Sequence, residues 1–101
     1  MAEKKPVYML FIGRPKQAWY ELSEKERKEH QDKMTKSGEE VGGKTIVTAW
    51  SRWSNEEWSL FGVAEFPDIE AVQKRVRFNE ESEHYKYFEM KTYLGTHWEP
   101  V

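Results

Sequence analysis

Two side chains in the first half of the sequence, Glu26 and His30, have types and a spacing that suit acid–base chemistry. Residues four apart in a helix lie one turn apart on the same side. The carboxylate of Glu26 would then hold one ring nitrogen of His30, and the other nitrogen would act as a base towards an acidic carbon or a phenol. The alternative is that His30 is a hydrogen-bonded core residue, since histidine is common in proteins without a catalytic role.

A second group of side chains is aromatic and would suit a pocket for a flat hydrophobic ligand. Its members are Trp19, Trp50, Trp53, Trp58, Tyr85, Tyr93 and Trp98. We expect Trp50, Trp58, Tyr93 and His97 to contact such a ligand and Arg52 to bind an anionic group on it. Trp and Tyr are also enriched in interfaces, so the alternative is that these rings form the core and a dimer contact.

Motifs for other chemistry are absent from the sequence. The histidines, His30, His84 and His97, show no tight ligand spacing such as H-x-x-x-H, and there is no cysteine, so we expect no metal site. The sequence also contains no nucleophile elbow and no complete phosphate-binding loop.

The composition predicts one folded domain, residues 1–101. The formal net charge is −2, from 16 basic and 18 acidic residues that are interspersed. This charge pattern argues against nucleic acid and against a membrane surface as partners. The short apolar run near the N-terminus resembles neither a signal peptide nor a membrane span, so we expect a cytoplasmic protein.

The elements that must position these residues follow from the hydrophobic pattern. Ser23 and Glu26 form a capping-box motif that predicts the start of a helix, and Gly38 is expected to end it. Leu22, Glu26, His30 and Met34 mark the side of that helix that should face a sheet.

Four runs have strand character: residues 6–13, the hairpin arms 44–53 and 57–66, and residues 90–98. A second helix should begin at Asp68 as N-cap, with Ile69, Val72 and Val76 facing inward, and a short helical turn should follow from Ser82. The order is β-α-β-β-α-β, which is the ferredoxin-like α+β pattern with a four-stranded antiparallel sheet and helices on one face.

The other face of such a sheet would be bare, yet the hairpin carries large apolar residues on both sides. Because large exposed apolar patches are rare on monomers, we expect a homodimer in which one sheet face packs on its copy.

The segments YMLFIG (8–13), AWYELSEKERKEH (18–30), GVAEF (62–66) and YKYFEMKTYLG (85–95) are similar to those of the dimeric α+β barrel superfamily. Within it the chain resembles a single half of the chlorite dismutase-like proteins. The resemblance covers nearly the whole chain and implies a ligand pocket between helices and sheet. One-domain members of the superfamily include cofactor-independent monooxygenases and isomerases, so an activity of that class on a hydrophobic or aromatic substrate is one expectation.

A non-catalytic dimeric binding or stress-related protein is the alternative function. Haem is possible but not implied by the resemblance, because the haem-binding histidine of the family belongs to its other half and neither His84 nor His97 matches that motif.

Overall fold

The computed structural model describes residues 5–100; the charged start of the chain, residues 1–4, and residue 101 lie outside this range. In chain order the elements are β1 (Val7–Pro15), α1 (Gln17–Tyr20), α2 (Glu24–Glu40), β2 (Lys44–Trp50), β3 (Leu60–Phe66), α3 (Ile69–Glu81), α4 (His84–Tyr87) and β4 (Phe88–Gly95). The strands form one antiparallel sheet in the order β2-β3-β1-β4. The predicted ferredoxin-like α+β fold is therefore confirmed.

Strand β1 is central, as its apolar composition predicts. Val7 pairs with Phe66 of β3, and Tyr8 pairs with Gly95 of β4. Strand alternation puts Val7, Met9 and Phe11 on the side of the helices. We call the opposite side of the sheet the open face.

Helix α2 begins as the capping box predicts. The Ser23 hydroxyl accepts from the backbone N–H of Glu26, and the Glu26 carboxylate accepts from the N–H of Ser23. The predicted end at Gly38 is wrong, because the helix continues to Glu40 and the left-handed residue is Gly42, with φ of 80°. Gly38 instead lies where α2 approaches α3: a β-carbon there would be 3.6 Å from Nε of Arg75.

Helix α3 supplies the helical residues of the buried core cluster. The carboxylate of Asp68 accepts from the N–H of Ala71, which confirms the predicted N-cap. Ala71 and Val72 join Val7, Ala64 and Phe66 in the core, and Val76 packs against that cluster. The predicted inward position of Ile69 is wrong: it is 45% exposed, because the buried side of the first turn is centred on Ala71 and Val72.

The hairpin is shorter than the sequence suggests. Strands β2 and β3 end at Trp50 and begin at Leu60, and the nine residues 51–59 form the connection. Backbone N–H groups of Ser54 and Asn55 bond the carbonyl of Ser51, so the chain turns there. The last strand also lies earlier than predicted, at Phe88–Gly95, because the chain starts pairing directly after α4.

Candidate functional site

Two histidines from distant parts of the chain meet between α2 and α4. Nε2 of His30 lies 2.9 Å from Nδ1 of His84, within hydrogen-bond distance. The two ring planes differ by only 8°, and the ring centres are 5.2 Å apart. Because the ring centres are much farther apart than the two nitrogens, the rings meet edge to edge. Glu83, whose φ of 60° is left-handed, precedes His84 and directs the chain into this position.

Aromatic rings surround this pair. Tyr87 and Trp19 approach His30 edge-on, with ring centres at 5.1 and 5.9 Å, and Phe88 lies nearly parallel to His84 at 5.0 Å. His30 is only 8% exposed. The aromatic surroundings keep His30 buried and oppose a charge on the pair.

The pKa values of both histidines are lowered. Burial is the largest cause for His30, and the positive charges of Lys33 and Arg75 lower its pKa further. Burial also lowers the pKa of His84 to about 4, with smaller contributions from His30 and Arg75. Near neutral pH the pair is therefore uncharged and shares one hydrogen between the facing nitrogens.

The predicted pairing of Glu26 with His30 does not form. The exposed carboxylate of Glu26 bonds the Ser23 backbone N–H, and this bond, with the Ser23 hydroxyl, lowers the pKa of Glu26. The capping box thus takes the carboxylate that would have oriented the histidine, and His30 turns to His84 instead.

A groove of about 420 Å³ lies at the end of the open face, beside the β2–β3 connection. It is lined by Leu10, Ile12, Ser51, Ser54, Asn55, Trp58, Leu60 and Phe61. Its volume falls within the range of small-molecule sites, about 300–1,000 Å³. Apolar walls with a few polar groups at one side are the usual composition of such sites.

Trp58 is held in this groove from several sides. The Arg14 guanidinium carbon lies 5.0 Å from the centre of its ring, and Nζ of Lys91 lies 5.5 Å away. Its backbone N–H donates to Oδ1 of Asn55 at 2.7 Å, and its carbonyl accepts from the Ser51 hydroxyl at 2.8 Å. Both cations are within the distance at which a ring attracts positive charge.

The other residues predicted to bind a ligand do not line the groove. Trp50 ends β2 and is largely exposed, and Arg52 is exposed in the turn that follows. Tyr93 is exposed on β4, opposite Leu10 on the open face. His97 lies beyond β4 with Nε2 at 3.8 Å from a carboxylate oxygen of Glu99. Of the five predicted ligand contacts, only Trp58 lines the groove.

Sequence reasoning missed two features of these sites. The His30–His84 contact joins residues 54 positions apart, and no local spacing in the sequence predicts it. Asn55 had a signal that could have been used: an asparagine in a loop commonly accepts from the backbone N–H two residues later and closes a turn.

A second groove, also of about 420 Å³, lies between α2 and α3 and is lined mostly by polar and charged residues. Lys33, Lys36, Glu40 and Glu81 contribute to it, so its two kinds of charge are mixed. Neither of the two grooves lies between the helices and the sheet, where the resemblance placed a pocket.

The fold has a counterpart among solved structures. A chlorite dismutase variant from Candidatus Nitrospira defluvii superposes with a TM-score of 0.75 over 99% of this chain, at 10% sequence identity. The fold is that of a single half of this protein. The chain spans 43% of the chlorite dismutase chain. No family model matches the sequence, and no curated protein sequence matches it significantly.

The described histidines do not fit a haem site. Neither groove is lined by a histidine, His84 is engaged with His30 and Phe88, and His97 is exposed near Glu99. Within residues 5–100, no three or more His, Asp or Glu side chains cluster in a way that would hold a metal ion. Over the same range, no helix has the length and apolar character needed to cross a bilayer.

Proposed function

We propose that this chain is a single-domain, homodimeric binding protein that takes a small, mainly apolar organic molecule in the groove beside Trp58. The observation that carries the proposal is the groove itself: it has apolar walls, a tryptophan fixed by four separate contacts, and a polar side formed by the β2–β3 connection. A pre-formed site of this kind loses little conformational freedom when a ligand binds.

The open face supports the dimer. Leu10, Val47, Phe61 and Tyr93 are each more than two-fifths exposed there, and Val63 lies among them half-buried. Leu10 and Phe61 also line the groove, so a second copy on this face would border the bound molecule. Four strands about 4.8 Å apart, each seven or more residues long, give a face of roughly 500 Å². Two such faces would bury about 1,000 Å², which is the lower limit for a specific interface.

Charges at the ends of the open face allow a second copy to dock. Lys44 pairs in register with Glu65 at one end, and Arg14 forms an ion pair with Glu89 at the other. Each end of the open face carries both a positive and a negative side chain. A second copy can therefore dock in either orientation without placing only like charges against each other. The solved counterpart is more than twice as long as this chain, which is consistent with a second unit of similar size covering the same face.

A cofactor-independent monooxygenase or isomerase with His30 as base is not favoured. Such a base must reach the proton that it removes, within about 3 Å or through one water. His30 is buried, its Nε2 faces His84, and it lines neither groove. The binding function requires no accessible base, so we prefer it.

Light scattering coupled to size-exclusion chromatography tests the dimer. We expect a mass near 24 kDa, twice the 12.1 kDa of one chain, and we expect Val47→Glu, on the open face and outside the groove, to give a monomer. Leu94→Glu is the matched control, since Leu94 is similarly exposed but lies on the opposite side of the sheet, paired with Met9. A monomeric wild-type protein at micromolar concentration would rule out the dimer.

Fluorescence of the neutral probe N-phenyl-1-naphthylamine tests the groove. We expect saturable binding with one site per chain, weakened at least fivefold by Trp58→Ala and unchanged by Trp53→Ala. Trp53 is the control because it is 84% exposed in the turn outside the groove. Equal binding by both variants would show that the probe binds elsewhere and would refute the groove as the site.

A further inference from the structure

We propose that the ligand of the groove carries an anionic group and that the ammonium of Lys91 binds it. This inference rests on the proposed function and adds the chemical class of the ligand, a flat apolar carboxylate or sulfonate. It replaces Arg52, which the sequence suggested for this role and which lies outside the groove.

The two cations near Trp58 differ in what they already bind. Nε and Nη2 of Arg14 contact Oε2 of Glu89 at 2.8 and 2.7 Å, and its Nη1 donates to the carbonyl of Glu57. The charge of Arg14 is thus offset by one carboxylate oxygen that accepts from two of its N–H groups, and its planar group is held in place. Arg14 therefore fixes Trp58 and is not available to an anion.

Lys91 has no such partner in the described part of the chain. Of the carboxylates in residues 5–100, none lies within 4 Å of its ammonium, and its contact in the structure is the ring of Trp58. Lys91 pairs in register with Ile12, which lines the groove, so the ammonium stands at the border of the site. A cation over a ring at an exposed site is held only weakly, which leaves it free to bind an anion as well.

Asn55 provides a second donor on the same side. Its Oδ1 accepts from the backbone N–H groups of Glu57 and Trp58 at 2.9 and 2.7 Å. These two bonds use the oxygen and determine the orientation of the amide, so its NH₂ is the part that can bind a ligand. Among residues 5–100, no acidic side chain lines the groove to repel an anion. A free cation, an amide donor and apolar walls together favour an apolar anion over a neutral or cationic ligand.

Two probes with the same ring system separate the anionic group from the apolar body. One is 8-anilinonaphthalene-1-sulfonate, and the other is N-phenyl-1-naphthylamine, which lacks the sulfonate. We expect the sulfonate to bind about tenfold more tightly to the wild-type protein, since a hydrogen bond to a charged group contributes about 1.5 kcal/mol or more. The preference should fall as salt is raised, because the cation is near solvent.

Lys91→Gln should weaken the binding of the sulfonate probe only, so that the two probes bind this variant with similar affinity. Lys74→Gln is the matched control, since Lys74 is exposed on helix α3 and lies outside the groove. The preference of this variant for the sulfonate probe should equal that of the wild-type protein. 2-Naphthoate should compete with the sulfonate probe on the wild-type protein and lose at least fivefold on Lys91→Gln.

The outcomes distinguish the two proposals. If both probes bind the wild-type protein equally, or if Lys91→Gln keeps the preference for the sulfonate, the proposal of an anionic ligand is wrong. The groove would then still be a binding site. Binding of neither probe would refute the proposed function itself.

Discussion

His30 and His84 face each other edge to edge at 2.9 Å and connect the polar helix α2 to the short helix α4. One hydrogen between the two nitrogens is enough for this contact. If both rings are protonated, two N–H groups face each other and the contact becomes repulsive. The pair is therefore a favourable link only while it carries at most one extra proton.

This pair predicts that the protein loses stability in mild acid. Both pKa values are lowered in the folded state, that of His84 from 6.5 to about 4. As the pH falls below 6.5 the unfolded chain takes up these protons first, so the free energy of unfolding decreases down to about pH 4. Above pH 7 both states are unprotonated at these groups and stability is flat. Urea unfolding between pH 5 and 7.5 measures this slope in a range where carboxylates contribute little.

The control for this prediction is a pair of glutamines, His30→Gln with His84→Gln. This variant lacks both rings of the pair, and we expect its stability to be nearly independent of pH between 5 and 7.5. His97→Gln changes an exposed histidine and should keep the wild-type slope. A wild-type slope in the glutamine pair would show that other groups cause the pH dependence.

The fold could be predicted because its signals are local. The Ser23 capping box, the Asp68 cap and the apolar alternation of β1 each depend on a few adjacent residues, and all three are confirmed. The helix face was predicted less well. A line of every fourth residue drifts on a helix of 3.6 residues per turn, so the buried side of α2 passes through His30, Met34 and Ser37.

The candidate site could not be predicted because it depends on long-range pairing. Which side of the sheet Trp58 takes is decided by the irregular connection of residues 51–59, where Ser59 donates its N–H to the carbonyl of Gly13. Because this connection is irregular, the alternation of side chains along β3 cannot be extended back through it to predict which side Trp58 takes. The same holds for His84, whose position depends on the left-handed turn at Glu83.

Val72 is the most buried side chain of the core, at 2% exposure, and its truncation tests where the core lies. We expect Val72→Ala to lower the free energy of unfolding by about 2 kcal/mol, from lost burial and the space left behind. Ile69→Ala on the same helix is the control and should cost less than half as much, because Ile69 is largely exposed. Urea denaturation measures both, and a larger loss for Ile69→Ala would contradict the assigned face of α3.

The capping box at the start of α2 predicts a loss of about 1 kcal/mol for Ser23→Ala, because the backbone N–H of Glu26 loses its acceptor. Glu26→Gln should change stability little, since glutamine also accepts from the N–H of Ser23. Thr35→Ala, at an exposed position of the same helix, should be neutral or stabilising. Thermal unfolding compares the three, and equal melting temperatures for Ser23→Ala and Thr35→Ala would contradict a role for the cap.

Gly62 in β3 predicts a strong effect of a single added methyl group. A β-carbon there would overlap the ring of Phe11 on the neighbouring strand and lie 2.6 Å from the carbonyl oxygen of Val47 on the other. The backbone oxygen cannot move without breaking the pairing of β2 with β3, so Gly62→Ala should cost about 1–3 kcal/mol. Gly95→Ala is the matched control, because nothing lies within 4 Å of its β-carbon position. Chemical denaturation measures the free energy of unfolding of both variants. If Gly62→Ala is as stable as Gly95→Ala, Phe11 does not pack across Gly62, and the side chains on the helix side of the sheet are arranged differently.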